Sequence, residues 1–125
     1  MRKLVFTTIA TVALACTTGA ASAQAPFTTY DTRGGIIGSS PGGKTGTLIN
    51  YGKSERFVRN RDGSTTFTKE DGSRYTLRAR IVSKGGPPYI TKIYLRDKHI
   101  STVKTHSDGS METYDPRGNL VATGR

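Results

Sequence analysis

The chain has 125 residues, with 19 Lys and Arg against 9 Asp and Glu, so its formal net charge is +10 at pH 7. Its single cysteine, Cys16, excludes an intramolecular disulfide and a zinc site built on several cysteines. The length suits one domain, and no segment after residue 23 is long and apolar enough to span a membrane as a helix.

Residues 1–23 have the pattern of a cleavable signal peptide. A positive start, Met1-Arg2-Lys3, precedes an apolar stretch from Leu4 to Cys16, and small residues follow up to Ala23. This order predicts cleavage after Ala23, which would make Gln24 the new amino terminus. We therefore expect a periplasmic or secreted protein whose mature chain has no transmembrane segment.

A second interpretation concerns Cys16. The residues Ala13-Leu14-Ala15-Cys16 resemble the lipobox of bacterial lipoproteins, a resemblance that implies a lipid-anchored envelope protein with Cys16 as its modified first residue. The chain departs from the family pattern at Ala13, where the family favours leucine. Lipid anchoring therefore stays an alternative to release in soluble form.

Residues 24–45 are poor in apolar side chains and rich in Gly, Ser and Pro, which predicts a flexible arm. Residues 46–125 have the features of an antiparallel β domain. Asp-Gly pairs at 62, 71 and 108 mark hairpin turns. Between the turns lie eight short strand-like runs, at 46–51, 56–60, 64–69, 74–82, 89–96, 99–104, 111–114 and 119–122. The fold class predicted is all-β: a small antiparallel meander, sandwich or open barrel.

The chain contains a faint internal repeat. Tyr30-Asp31-Thr32-Arg33-Gly34 matches Tyr114-Asp115-Pro116-Arg117-Gly118, and two residues that follow each copy at the same spacing are aliphatic. These units resemble those of YD-repeat exported bacterial β-proteins. The resemblance covers only residues 30–37 and 114–121, and it implies β-hairpins in which the tyrosine packs into the sheet. It implies nothing about catalysis.

The positive charge is concentrated in the centre of the chain. Residues 53–104 hold 13 Lys and Arg against 5 Asp and Glu, which is +8 and equals the net charge of residues 24–125. Alternation along strands 74–82 and 89–98 predicts that cations face outward and aliphatic side chains inward. If the two strands pair, they form what we call the outer basic face: Arg74, Arg78, Arg80, Lys92, Tyr94, Arg96 and Lys98.

Such a face is typical of proteins that bind polyanions. The sequence thus predicts an exported, non-enzymatic envelope module, of binding or structural type. Its partner would be an anionic polymer: nucleic acid, acidic envelope polysaccharide or lipid head groups. The other interpretation is that the cations merely keep the strands soluble and discourage edge-to-edge pairing.

Other motifs give weaker indications. Residues 38–45 match the phosphate-loop pattern G-x-x-x-x-G-K-[ST], but a strand-like run follows where a helix is required. His99 and His106 do not have metal-ligand spacing. The alternative enzymatic hypothesis is a small basic nuclease that pairs Glu70 or Glu112 with a histidine. We expect no cofactor and assign no catalytic or metal-binding residue.

Overall fold

The structure, a computed structural model, describes residues 10–16 and 24–125. In these residues the chain forms one helix and ten strands. The helix, α1, is Ala10–Ala15. The strands are β1 Phe27–Tyr30, β2 Ile36–Ser40, β3 Thr45–Asn50, β4 Lys53–Arg59, β5 Thr65–Lys69, β6 Arg74–Ile81, β7 Tyr89–Leu95, β8 Lys98–Thr105, β9 Met111–Tyr114 and β10 Leu120–Gly124.

The strands form a closed antiparallel barrel. Each strand pairs with its neighbours in sequence, and β1 pairs with β10, with Thr29 opposite Gly124 and Tyr30 opposite Thr123. The prediction of an all-β, antiparallel fold is therefore confirmed. Pairing of β1 with β10 closes the sheet, which leaves it without an exposed edge.

Eight of the ten strands, β3 to β10, correspond to the eight predicted runs. The other two, β1 and β2, lie in residues 24–45, the range predicted to be a flexible arm. Their side chains alternate between buried and partly exposed positions, with Phe27, Thr29 and Ser40 buried. The inward positions here are largely small or hydroxyl-bearing, so they carry little hydrophobic signal.

The hairpin turns are stabilised by carboxylates. In the β4–β5 turn, the Asp62 carboxylate accepts hydrogen bonds from the Ser64 amide at 2.9 Å and the Ser64 hydroxyl at 2.6 Å. Asp71 with Ser73 and Asp108 with Ser110 repeat this arrangement. These hydrogen bonds favour the ionised form, and they hold the pKa of all three carboxyls below the usual range.

The two Tyr-Asp-x-Arg-Gly copies adopt the same turn. The Asp31 amide donates to the Gly35 carbonyl at 2.8 Å, and the Asp115 amide donates to the Asn119 carbonyl at 2.9 Å. In both copies the aspartate side chain accepts the amides two and four residues later. The two turns lie at the same end of the barrel, because β1 and β9 both flank β10.

Helix α1 lies inside the barrel. Its six residues are buried, and four of them belong to the same core as the inward side chains of the strands: Val12, Ala13, Leu14 and Ala15. The largest of those inward side chains are Phe27, Leu48, Phe57, Phe67, Leu77, Ile93, Ile100, Val103 and Met111. The predicted signal peptide therefore has part of its apolar stretch described, whereas its charged start and its cleavage site lie outside the described residues.

Hydrogen bonds to described residues of the barrel and to Gln24 join α1 to its surroundings. The Thr11 amide donates to Asn50 Oδ1 at 3.1 Å, and the Thr11 hydroxyl donates to Thr29 Oγ1 at 3.1 Å. At the other end, Arg59 Nη2 donates to the Ala15 carbonyl, and Gln24 Nε2 donates to the Leu14 carbonyl, both at 2.9 Å. The helix thus lies lengthwise in the barrel, fixed at both ends.

Among residues 10–16 and 24–125, we find no helix with the length and apolar character needed to cross a bilayer.

Candidate functional site

The outward side of β6 and β7 carries most of the outer basic face. In the register of the two strands, Arg78 lies opposite Tyr94 and Arg80 lies opposite Lys92. Arg78 and Arg80 are exposed, while Leu77, on the inward side of the same strand, is buried. Two cations directly opposite each other repel, at a cost of about 0.2–1 kcal/mol. A bound anion would offset the repulsion between Arg80 and Lys92.

A shallow hollow of about 400 Å³ lies on this side of the barrel, and we call it the basic hollow. It collects three guanidinium groups and one phenol of the outer basic face, from Arg78, Arg80, Arg96 and Tyr94. Two carboxylates, Asp62 and Asp97, also line it. Asp62 pairs with Arg78 at 3.2 Å, but both side chains are more than half exposed, so water and salt weaken this pair.

Three members of the outer basic face do not line the hollow: Arg74, Lys92 and Lys98. Arg96 and Asp97 form the two-residue turn between β7 and β8, and Arg96 has a φ of 59°. Strand alternation ends at this turn, so Lys98 pairs with Leu95 and not with the outward row. Arg74 pairs with Thr68 at the start of β6, where it lines a second cavity. The structure thus brings four of the seven residues together in the hollow, with Lys92 beside Arg80.

That second cavity, of about 650 Å³, opens at the end of the barrel where β3–β4, β5–β6 and β7–β8 turn, and we call it the mouth cavity. Its apolar lining comes from Tyr75, Leu77, Leu95 and Ile100. Ionic side chains of both signs also line it: Lys53, Lys69, Arg74, Glu70 and Asp71 are exposed at its rim, and Glu55 is buried inside it. Alternation had suggested the inward direction of Tyr75 and Leu77, but not a cavity, because strand patterns do not report how much interior space is filled.

Tyr75 has contacts to three neighbouring side chains in the mouth cavity. Its hydroxyl donates to Glu55 Oε1 at 2.5 Å, and its ring stacks on Phe67 with a centroid distance of 5.2 Å. Lys69 Nζ lies 5.5 Å from the ring centroid. Burial, together with the neighbouring Glu55 carboxylate, raises the pKa of Tyr75 far above its usual range. The phenol therefore stays protonated and serves as a hydrogen-bond donor to the carboxylate.

The structure also brings His106 and Glu112 together, one of the pairs considered for a nuclease. His106 Nε2 lies 3.2 Å from Glu112 Oε1, and the Tyr114 hydroxyl donates to the same oxygen at 2.9 Å. The hydrogen bond from His106 lowers the pKa of Glu112. Both side chains are about one-third exposed. Neither His106 nor Glu112 lines the basic hollow or the mouth cavity, so the pair lies outside both.

His99 contacts its own strand, since Nε2 lies 2.9 Å from the Thr102 hydroxyl. Glu70 lies in the β5–β6 turn, where Oε2 accepts the Ser54 amide at 3.2 Å.

The phosphate-loop match at 38–45 is a hairpin turn, because β2 ends at Ser40 and β3 begins at Thr45. In the described part of the chain, no three His, Cys, Asp or Glu residues are grouped so as to hold a metal ion.

No family model matches the chain, and neither a curated protein nor a solved structure matches it.

Proposed function

We propose that the chain is exported and acts as a non-enzymatic module of the cell envelope, whose basic hollow binds an anionic polymer. The observation that supports this proposal is the grouping of Arg78, Arg80, Arg96 and Tyr94 around one concave surface. Guanidinium groups form paired hydrogen bonds with phosphate, sulfate or carboxylate oxygens. An aromatic side chain among them offers a face on which a base or sugar ring stacks.

The charges of the hollow favour a polymer over a small anion. Asp62 and Asp97 offset two of the three arginines, so the hollow by itself is only weakly positive. The remaining charge is distributed along the strands, on Lys92 opposite Arg80 and on Arg74 at the start of β6. A polymer contacts these separated cations at the same time, whereas a single small anion contacts one or two.

The test is a salt titration of binding to heparin and to a single-stranded DNA oligonucleotide. The triple variant Arg78→Gln, Arg80→Gln, Arg96→Gln removes the guanidinium groups of the hollow. We expect the slope of log K against log salt to fall by roughly 2, since each neutralised phosphate of a single strand contributes about 0.7. Tyr94→Ala is expected to weaken DNA binding more than heparin binding, because only the DNA has bases to stack.

A matched control removes the same charge elsewhere on the surface. Arg33, Arg56 and Arg117 are exposed and lie outside the basic hollow. Their triple replacement by glutamine is expected to leave most of the affinity intact. Equal losses in the two triple variants would mean that net charge alone attracts the polymer, and this result would refute the proposed site.

The nuclease hypothesis keeps one specific observation, the contact between His106 and Glu112. Both side chains lie on the outside of the barrel, close to Lys104, which is opposite Glu112 in the register of β8 and β9. Cleavage of single-stranded RNA or DNA by the purified protein, abolished in Glu112→Gln, would establish this second function. Persistence of the activity in that variant would exclude the pair.

A further inference from the structure

The interior of the barrel is divided between α1 and the mouth cavity. The two spaces meet at Asn50, whose side chain accepts the Thr11 amide and also lines the cavity. Removal of the predicted signal peptide would take α1 out of the barrel. The vacated space and the mouth cavity would then form one lumen.

The wall around α1 is suited to an apolar guest. Val12 and Leu14 are fully buried and belong to the same apolar core as Leu48, Val103 and Met111. At Gly124, an added Cβ would come within 2.7 Å of Leu14 Cδ1, so the absence of a side chain there makes room for Leu14. The space is therefore narrow and elongated, and its wall combines these apolar side chains with the polar groups of Thr29 and Asn50 that bond to Thr11.

One cation lies in the inward row at the far end of this space. Arg59 is the last residue of β4, it is only 8% exposed, and its Nη2 donates to the Ala15 carbonyl at 2.9 Å. The Ala15 oxygen shows where an acceptor is held when the lumen is filled. A carboxylate is a stronger acceptor for a guanidinium than a neutral carbonyl is.

The rim of the mouth cavity offers no comparable preference. Across the whole lining of that cavity, three cations, Lys53, Lys69 and Arg74, are balanced by three carboxylates, of which Glu55 is buried and Glu70 and Asp71 are exposed. A negatively charged head group therefore gains more at the Arg59 end than at the rim.

We infer that the processed barrel, residues 24–125, binds one long-chain fatty acid, with the hydrocarbon chain in the space of α1 and the mouth cavity and the carboxylate on Arg59. This site is distinct from the basic hollow, although it rests on the same proposed export and on cleavage before residue 24.

The test uses the full-length chain expressed with its own amino terminus and recovered after export. Mass spectrometry gives the first residue of the product, and cis-parinaric acid serves as the fluorescent probe. We expect a product that begins at Gln24 and binds the probe at one molecule per chain, with displacement by palmitate. A product that retains residues 10–16, or a processed product without saturable binding, would overturn the inference.

Variants distinguish the contact with the carboxylate head group from nonspecific hydrophobic binding of the hydrocarbon chain. Arg59→Met is expected to weaken palmitate binding about tenfold or more, since a hydrogen bond to a charged group is lost, and to leave the alcohol of the same chain length unaffected. Binding of that alcohol also shows that the variant is folded. Arg56→Met, on the outward side of the same strand, is the matched control. Equal effects on acid and alcohol would contradict the assignment of Arg59.

The inference fails independently of the proposed function. The glutamine triple variant of the basic hollow is expected to bind cis-parinaric acid normally, and Arg59→Met is expected to bind heparin normally. Loss of both activities in either variant would contradict the presence of two separate sites.

Discussion

At the scale of single residues, the structure places one carboxylate in the interior with a dedicated donor. Glu55 is 6% exposed and accepts the Tyr75 hydroxyl. A buried ionic group is tolerated only where partners replace its water. The sequence indicated an inward Tyr75 through alternation, but not this pairing, because the two residues are 20 positions apart and meet only across two strand ladders.

Tyr75→Phe is therefore expected to destabilise the fold by about 1–3 kcal/mol, the cost of leaving a buried acceptor without its donor. Urea denaturation measures this loss. Tyr94→Phe, on the outward side of β7, is the matched control and is expected to change the free energy of unfolding by less than about 0.5 kcal/mol. Similar losses in both variants would mean that the Tyr75 hydroxyl adds nothing specific.

At the scale of elements, the hairpins follow their sequences closely. The Asp-Gly-Ser turns place glycine at positive φ, with Gly72 at 89°, and alternation gave strands β3 to β10. Two features were not predictable in this way. The turn at Arg96 has no glycine to mark it, and β1 and β2 present Thr29, Gly38 and Ser40 to the interior, a pattern that resembles loop composition.

The turns allow a test of backbone strain alone. An added Cβ at Gly72 meets nothing within 4 Å, so Gly72→Ala introduces only an unfavourable φ. We expect a loss of about 1–2 kcal/mol in the free energy of unfolding. Gly86→Ala is the control, since that position also has open space but no positive φ. It is expected to be neutral or slightly stabilising, and equal losses at both sites would refute the assigned turn geometry.

At the scale of the whole molecule, the barrel encloses a segment that the sequence predicts to be removed. If that segment is removed, the protein has two forms: an unprocessed chain with α1 inside the barrel, and a processed chain with a lumen. The sequence predicted a signal peptide and an antiparallel β domain separately. It did not indicate their contact, because an apolar stretch has the same composition whether it enters a translocation channel or a protein core.

Cys16 reports on the unprocessed form. The thiol is 2% exposed, and desolvation by burial raises its pKa to about 12. In a full-length chain kept from export, we expect no reaction with Ellman's reagent at pH 8 until denaturant is added. The same protein in guanidinium chloride is the control and should react at once. Immediate reaction of the folded chain would show that α1 is not enclosed.

The ladder between β1 and β10 has a kinetic consequence. The other ladders join strands that are consecutive in the chain and can form as local hairpins, whereas this one brings Thr28 within 2.8 Å of the Arg125 carbonyl across almost the whole sequence. Such long-range pairing forms late in folding. We therefore expect the ladder between β1 and β10 to form last, around whatever already occupies the interior. Exchange of an enclosed ligand would then depend on how often this ladder opens.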